Sequence, residues 1–267
     1  MITKDLHMHT CYCDGACTPE DMILSAIEKG LNTVGISGHS YTFFDESYCM
    51  QKAAVPRYIA ELRYLRAKYF DQIHVLCGVE QDYYSDYPTD EFDYVIGSVH
   101  YVKVDEEYIP VDESIEILRA AVQKYFDGDV YALCEAYFET VADVINKTDC
   151  DIIGHFDLIS KFIEVGDDAC DVPHTGDSVD ALFDPHHPRY VAAWQKAVDQ
   201  LVQYDVPFEI NTGAISRGYR TSPYPNEEMI AYIKAHGGRL VLSSDAHSTD
   251  SIAYGFDRYS EELGVRS

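Results

Sequence analysis

The chain has 267 residues, 46% of them hydrophobic, enough to bury one large core and too apolar for a disordered polymer. Asp and Glu number 46 against 20 Lys and Arg, a net charge of −26, and a field of that sign makes long nucleic acids and anionic membranes poor partners. No apolar run approaches the roughly 18–20 residues that span a bilayer. The opening MITKDLHMHT lacks the features of a secretory signal, so the cytoplasm is the expected compartment.

Most of the acidic excess is read as solvated surface. The eight cysteines are expected to be reduced in that compartment. Cys11, Cys13 and Cys17 are close together, but no second pair at zinc-finger spacing completes a site, so they are read as loop thiols.

In chain order, short β-rich runs alternate with longer helical patterns. A strand over 4–10 precedes a helix that Thr18 caps; it starts at Pro19, carries Glu20 and Asp21 in its first turn and stops at Gly30. Strands over 33–40, 75–83 and 94–102 follow, with a helix over 57–69 between the first two. Apolar spacing predicts helices over 114–126 and 131–145 before a strand over 151–157. Helices over 190–204 and 226–235 then flank a strand over 207–212, and a last strand covers 239–247. Near-continuous apolar runs such as VLCGV and RLVLSS suit parallel strands covered on both faces.

The expectation is a single domain over 1–267, a distorted TIM-like (β/α)7 barrel. An open doubly wound sheet is the alternative, but no Gly-rich phosphate loop follows the first strand. The polar, acidic stretch 166–188 interrupts the alternation and is read as a loop insertion rising from the C-terminal face as a lid over the site.

The histidines and acids carry the chemistry through their placement. His7 and His9, two apart, share a face near the end of the first strand, and Asp14 follows in the next loop. His39 closes the second strand, Glu80 lies late in the third, His100 ends the fourth and His155 the fifth. Asp245 and His247, again two apart, end the last. Parallel barrel strands bring such ends to one face, where barrel active sites are built. Six imidazoles and three carboxylates exceed the needs of one ion. They suit two or three divalent cations with Glu80 as a bridging carboxylate, the arrangement that activates water and clamps oxygens at phosphorus. Zinc, manganese and iron all fit such a donor set. His74, His174 and His236 have no partner at ligand spacing and are read as structural. His186 and His187 point in divergent directions and would reach the site only if the acidic stretch folded over it.

The ordered motifs HMHT with a following DG, then GHS, GVE, SVHY, GHFD and SDAH, resemble the PHP (polymerase and histidinol phosphatase) phosphoesterases over essentially the whole chain. HFDLISKF and FEINTGAISRG are most similar to segments of the monofunctional histidinol-phosphatases. The resemblance implies one metal on His7, His9, Glu80 and Asp245, a second on Glu80, His100 and His155, and a third on Asp14, His39 and His247. It also implies in-line attack of hydroxide on phosphorus and substrate-phosphate contacts from Lys161 and Arg217. The run after Asn211 is longer than the family's, which leaves Arg220 as the competitor of Arg217. Cys11 and Cys13 stand where the family often has small or hydroxyl residues.

The reaction so implied is hydrolysis of L-histidinol phosphate in histidine biosynthesis. Asp245, and after it His247, are the candidates for orienting the nucleophile and moving a proton. The Tyr-rich segment 41–48, with Phe43, Phe44, Asp45 and Glu46, offers acidic and aromatic partners for the substrate's amine and imidazole. The alternatives are another small phosphate ester or nucleotide, and a non-catalytic metal-binding module. All nine ligand positions are filled and little chain follows the last strand, which argues against the module. A nuclease is disfavoured by the lack of a basic groove.

Overall fold

The computed structural model describes residues 3–164 and 182–264. The strands are β1 (Lys4–Asp5), β2 (Thr33–Ile36), β3 (His74–Asp82), β4 (Tyr94–Ser98), β5 (Tyr101–Val104), β6 (Glu107–Pro110), β7 (Ile152–Ile153), β8 (Phe208–Asn211) and β9 (Leu240–Ser243). Seven of them form one parallel sheet in the order β1-β2-β3-β4-β7-β8-β9. The outer two meet at a parallel bridge between Met8 and Ala246, where the His9 N–H donates to the Ala246 carbonyl at 2.8 Å and the Ala246 N–H to that of His7 at 3.1 Å. The sheet is thus nearly closed into the expected barrel.

The helices are α1 (Pro19–Glu28), α2 (Val55–Lys68), α3 (Ile115–Tyr125), α4 (Val130–Ala142), α5 (Val144–Thr148), α6 (Pro188–Leu201), α7 (Gly213–Ser216), α8 (Glu227–Ala235) and α9 (Phe256–Glu262). Thr18 caps α1 in a box with Asp21: its side chain accepts from the Asp21 N–H while the Asp21 carboxylate accepts from the Thr18 N–H. Such a cap contributes about 1 kcal/mol and fixes where the helix starts. Met22, Ile23 and Ala26 of α1, and Tyr58, Ile59, Leu62 and Leu65 of α2, are buried at helical spacing, so each helix lays one apolar stripe on the sheet. None of the described helices is long and apolar enough to cross a membrane.

Several boundaries differ from the sequence reading. The strand over 94–102 is two elements: β4 ends at Ser98, and β5 leaves the barrel to pair antiparallel with β6 as a separate hairpin. The helix over 131–145 ends at Ala142 and a short α5 follows. Strands 1, 2, 5 and 7 of the reading are shorter in the sheet than expected, because their last residues leave the ladder to aim side chains at the barrel mouth. The stretch 166–188 lies mostly outside the described residues, and its last member, Pro188, is the first residue of α6, capped by His187.

Candidate metal centre

The barrel mouth collects all nine predicted positions. His7 and His9 flank Met8 beyond β1 and are fully buried. The DG that follows has a steric reason. A Cβ on Gly15 would lie 2.4 Å from the His9 and Thr10 backbone, so only glycine allows the tight turn in which the Gly15 and Cys13 N–H groups donate to the Thr10 carbonyl. That turn sets Asp14 over His9 and His39. His39 pairs with Glu80 through a backbone bridge, and His100, His155, Asp245 and His247 each follow the end of a sheet strand. Asp245 takes a left-handed φ of 50°, a region Asp tolerates better than most side chains.

Glu80 sits at the centre. Its Oε2 is 2.8 Å from His39 Nδ1, 3.3 Å from His7 Nε2 and 3.5 Å from His9 Nε2. Its Oε1 is 2.8 Å from His155 Nε2 and 3.3 Å from His100 Nε2. Asp245 Oδ1 lies 3.1 Å from His9 Nε2 and 3.6 Å from His7 Nε2. Asp14 Oδ2 lies 3.3 Å from His247 Nε2 and 3.6 Å from His39 Nε2. Three overlapping groups could each hold a metal ion: His9, Asp14, His39 and His247; His7, His9 and Asp245; and His39, Glu80 and His100. The groups differ from the implied sets: His9 and His39 each reach two of them, Glu80 falls in one, and His155 joins none, although its Nε2 lies 2.8 Å from Glu80 Oε1.

The donor set fits divalent cations. His7 Nε2, His9 Nε2 and Glu80 Oε2 are buried without a hydrogen-bond partner among the described residues, although buried polar atoms ordinarily find one. Their nearest polar neighbours are other members of the cluster, as expected of atoms converging on an ion. Burial alone would raise the Glu80 pKa, but His39, His7 and His100 hold it well below the usual carboxylate range. Burial likewise opposes ionisation of Asp245, and Arg217 and His7 outweigh it. His9 is pulled down to about 3 by burial and by repulsion from His247 and His39, which leaves its ring neutral, the metal-binding form. His100 is pushed up to about 10: burial opposes the charge, and Glu80 and Asp82 more than compensate.

Two buried carboxylates escaped the sequence reading. Glu209 Oε1 lies 2.5 Å from His7 Nδ1 and accepts from Ser243 Oγ at 2.6 Å. Its Oε2 accepts from the His155 N–H at 2.8 Å and from Asn211 Nδ2 at 3.0 Å. Asp82 Oδ2 lies 3.2 Å from His100 Nδ1 and accepts from the His100 N–H. Each fixes an imidazole so that its Nε2 faces the cluster, the role carboxylates play behind metal-bound histidines. The available signal was an acid inside an apolar strand, FEIN for Glu209, and for Asp82 the period of two from Glu80.

A cavity of about 600 Å³ opens above the cluster. Lys161 and Arg217 line it, and Asp45, Asp112, Glu113, Tyr48, Tyr101 and Tyr219 surround them. Lys161 Nζ donates to the Asp112 carbonyl at 2.7 Å and lies 4.6 Å from the Tyr219 ring centre. Arg217 donates to the Asp245 carbonyl at 2.9 Å and to its carboxylate at 3.2 Å. This close approach needs Gly213, where a Cβ would lie 2.9 Å from the Arg217 Nη2. Arg220 is elsewhere: its side chain is 1% exposed and paired with Asp157 and Glu164. Of the segment 41–48, Asp45, Ser47 and Tyr48 line the cavity; Phe44 instead stacks on Tyr108 at 3.7 Å, tying this loop to the β5–β6 hairpin.

His187 caps α6 and stacks on Tyr131, and His186 is exposed beside Glu228. His74 is exposed and His236 stacks on Tyr232; His174 lies outside the described residues. Cys13 Sγ lies 3.6 Å from His9 Nδ1, but no cysteine joins a metal-binding group among the described residues.

Fold and site together define a parallel barrel with a buried His- and carboxylate-rich centre suited to metal ions at the C-terminal ends of its strands. The PHP domain model matches residues 5–213, and the chain belongs to the PHP family. It is 28% identical to a protein of Schizosaccharomyces pombe described as "Probable histidinol-phosphatase", over 93% of this chain and 82% of that one. It is 22% identical to the histidinol-phosphatase of Bacillus subtilis, over 98% and 99% of the two chains. A solved structure of the Lactococcus lactis histidinol phosphate phosphatase, described as complexed with zinc, L-histidinol and phosphate, shares the fold. Its TM-score is 0.68 at 19% identity, covering 99% of this chain and 95% of that one.

Proposed function

We propose that the chain is a metal-dependent phosphomonoesterase that hydrolyses L-histidinol phosphate to L-histidinol and phosphate in histidine biosynthesis, acting in the cytoplasm as a single catalytic unit over 1–267. The observation that carries this reading is the position of Glu80. Its two oxygens lie 2.8–3.5 Å from five imidazoles, at the base of a cavity that also holds two cations. His7, His9, Asp14, His39, Glu80, His100, His155, Asp245 and His247 are the proposed ligands of two or three zinc, manganese or iron ions. When bound, such ions neutralise phosphoryl charge and make water acidic enough to ionise near neutral pH.

In this reading Lys161 and Arg217 hold the phosphoryl oxygens, a local positive field within an acidic protein. Asp245, with Arg217 on one oxygen and the imidazoles near the other, orients the attacking water and takes its proton; His247 is the second proton carrier. The ester bond to phosphorus breaks, and the leaving alkoxide takes up a proton to become the alcohol. The carboxylates of Asp45, Asp112 and Glu113 suit the ammonium of histidinol, and Tyr48 and Tyr101 offer faces for its imidazole. The names of the relatives in fission yeast, B. subtilis and L. lactis agree with this substrate.

Metal-replete protein assayed against a panel of phosphate esters tests the assignment. L-Histidinol phosphate is expected to have the highest kcat/KM. A nucleotide or sugar phosphate turned over faster, with histidinol phosphate untouched, would assign the site to another ester.

A further inference from the structure

We propose that the Tyr224 hydroxyl is a third donor to the substrate's phosphoryl group, beside Lys161 and Arg217; the inference rests on the phosphatase reading above. Tyr224 is 1% exposed and lines the same cavity as those two cations. Its hydroxyl is buried and has no hydrogen-bond partner among the described residues. A phenol buried without an acceptor is less favourable than the phenylalanine of the same shape, so packing alone does not call for the oxygen. Tyr190 and Tyr259 also carry unpartnered hydroxyls, but neither lines the cavity.

The ring is held where such a donor would be useful. The Tyr224 N–H donates to the Asn211 carbonyl at 3.0 Å and the Asn211 N–H to that of Tyr224 at 2.6 Å, which fastens the residue to the end of β8. The Arg220 guanidinium lies 4.7 Å from the ring centre and the His155 ring 6.4 Å away. The ring therefore lies near a proposed metal ligand and a buried cation, in the lining of the cavity that Lys161 and Arg217 also line. Burial keeps it protonated and hence a donor. An anionic phosphoryl oxygen is the acceptor that this surrounding favours, because hydrogen bonds to charged acceptors are the strong ones.

The test uses zinc-loaded protein and inorganic phosphate, titrated by calorimetry, with metal content measured on each sample. Tyr224→Phe is expected to bind phosphate about tenfold more weakly with unchanged metal content, and Tyr190→Phe to bind it as the wild type does. Wild-type affinity in Tyr224→Phe overturns the inference, as does an equal loss in Tyr190→Phe. Wild-type protein that binds no phosphate contradicts the phosphatase reading itself, and is distinguished because it appears before any substitution.

Discussion

Glu80→Gln is expected to lower turnover more than about 100-fold and to reduce the number of metal ions retained after dialysis. Replacing even an outer partner of a metal-bound histidine commonly costs about 10–100-fold in affinity or activity, and Glu80 is the carboxylate common to both halves of the cluster. Its Oε2 faces His7, His9 and His39, and its Oε1 faces His100 and His155. Gln keeps the size but removes the charge and turns an amide N–H₂ toward imidazole lone pairs, which would accept from it instead of binding a metal ion. The residue is 1% exposed, so water cannot take over either contact. Metal analysis and steady-state rates on the same sample decide it; full metal content with full turnover would show that Glu80 is not a shared ligand.

Arg217 and Arg220 are expected to separate function from stability. Arg217→Ala should lower kcat/KM about 100-fold, the scale for losing one donor to transition-state charge, with little change in the unfolding midpoint. Its side chain is 33% exposed at the cavity, and the buried Asp245 carboxylate it leaves behind keeps the His7 and His9 imidazoles beside it. Arg220→Ala should instead destabilise the fold by about 3–5 kcal/mol, because breaking a buried pair strands the partner. Asp157 is fully buried, its Oδ2 lies 3.3 Å from Arg220 Nη1, and Ser160 Oγ and Glu164 complete the network. Urea unfolding beside kinetics on both variants checks the pair. An Arg220→Ala protein as stable as wild type but inactive would reverse the two roles.

The barrel and its nine-residue centre were legible because both are written in short periods. Parallel strands carry successive ends to one mouth, so the order of motifs brought His7, Glu80 and Asp245 together, although the pairs His7/His9 and Asp245/His247 lie just past β1 and β9 rather than on them. What was not legible depends on contacts distant in sequence or on atypical turns. Glu209 gains meaning from His7, 202 positions away, and from the His155 N–H. The β5–β6 hairpin turns through Asp105 and Glu106, with Asp105 at a φ of 54°. Two-residue hairpins usually announce themselves as Asn-Gly or Asp-Gly, and Asp-Glu does not. The break before β5 has a cause at the site: Asp82 accepts from the His100 N–H and lies against its ring, drawing the chain out of the sheet so that the imidazole meets Glu80. The same hairpin region supplies Tyr101, Asp112 and Glu113 to the cavity, and the sequence offered only the 41–48 segment for that wall. Helix α7 is a single turn, too short to show a helical period.

On this account the Glu80-centred cluster binds the metal ions that drive phosphoester hydrolysis. The most direct measurement is to strip the protein with a chelator, titrate zinc, manganese or iron back, and follow bound metal and L-histidinol phosphate turnover on the same preparation. Turnover is expected to vanish in the stripped protein and return as two or three ions bind per chain. Full turnover by the metal-free protein, or a chain that takes up no ions, would contradict it.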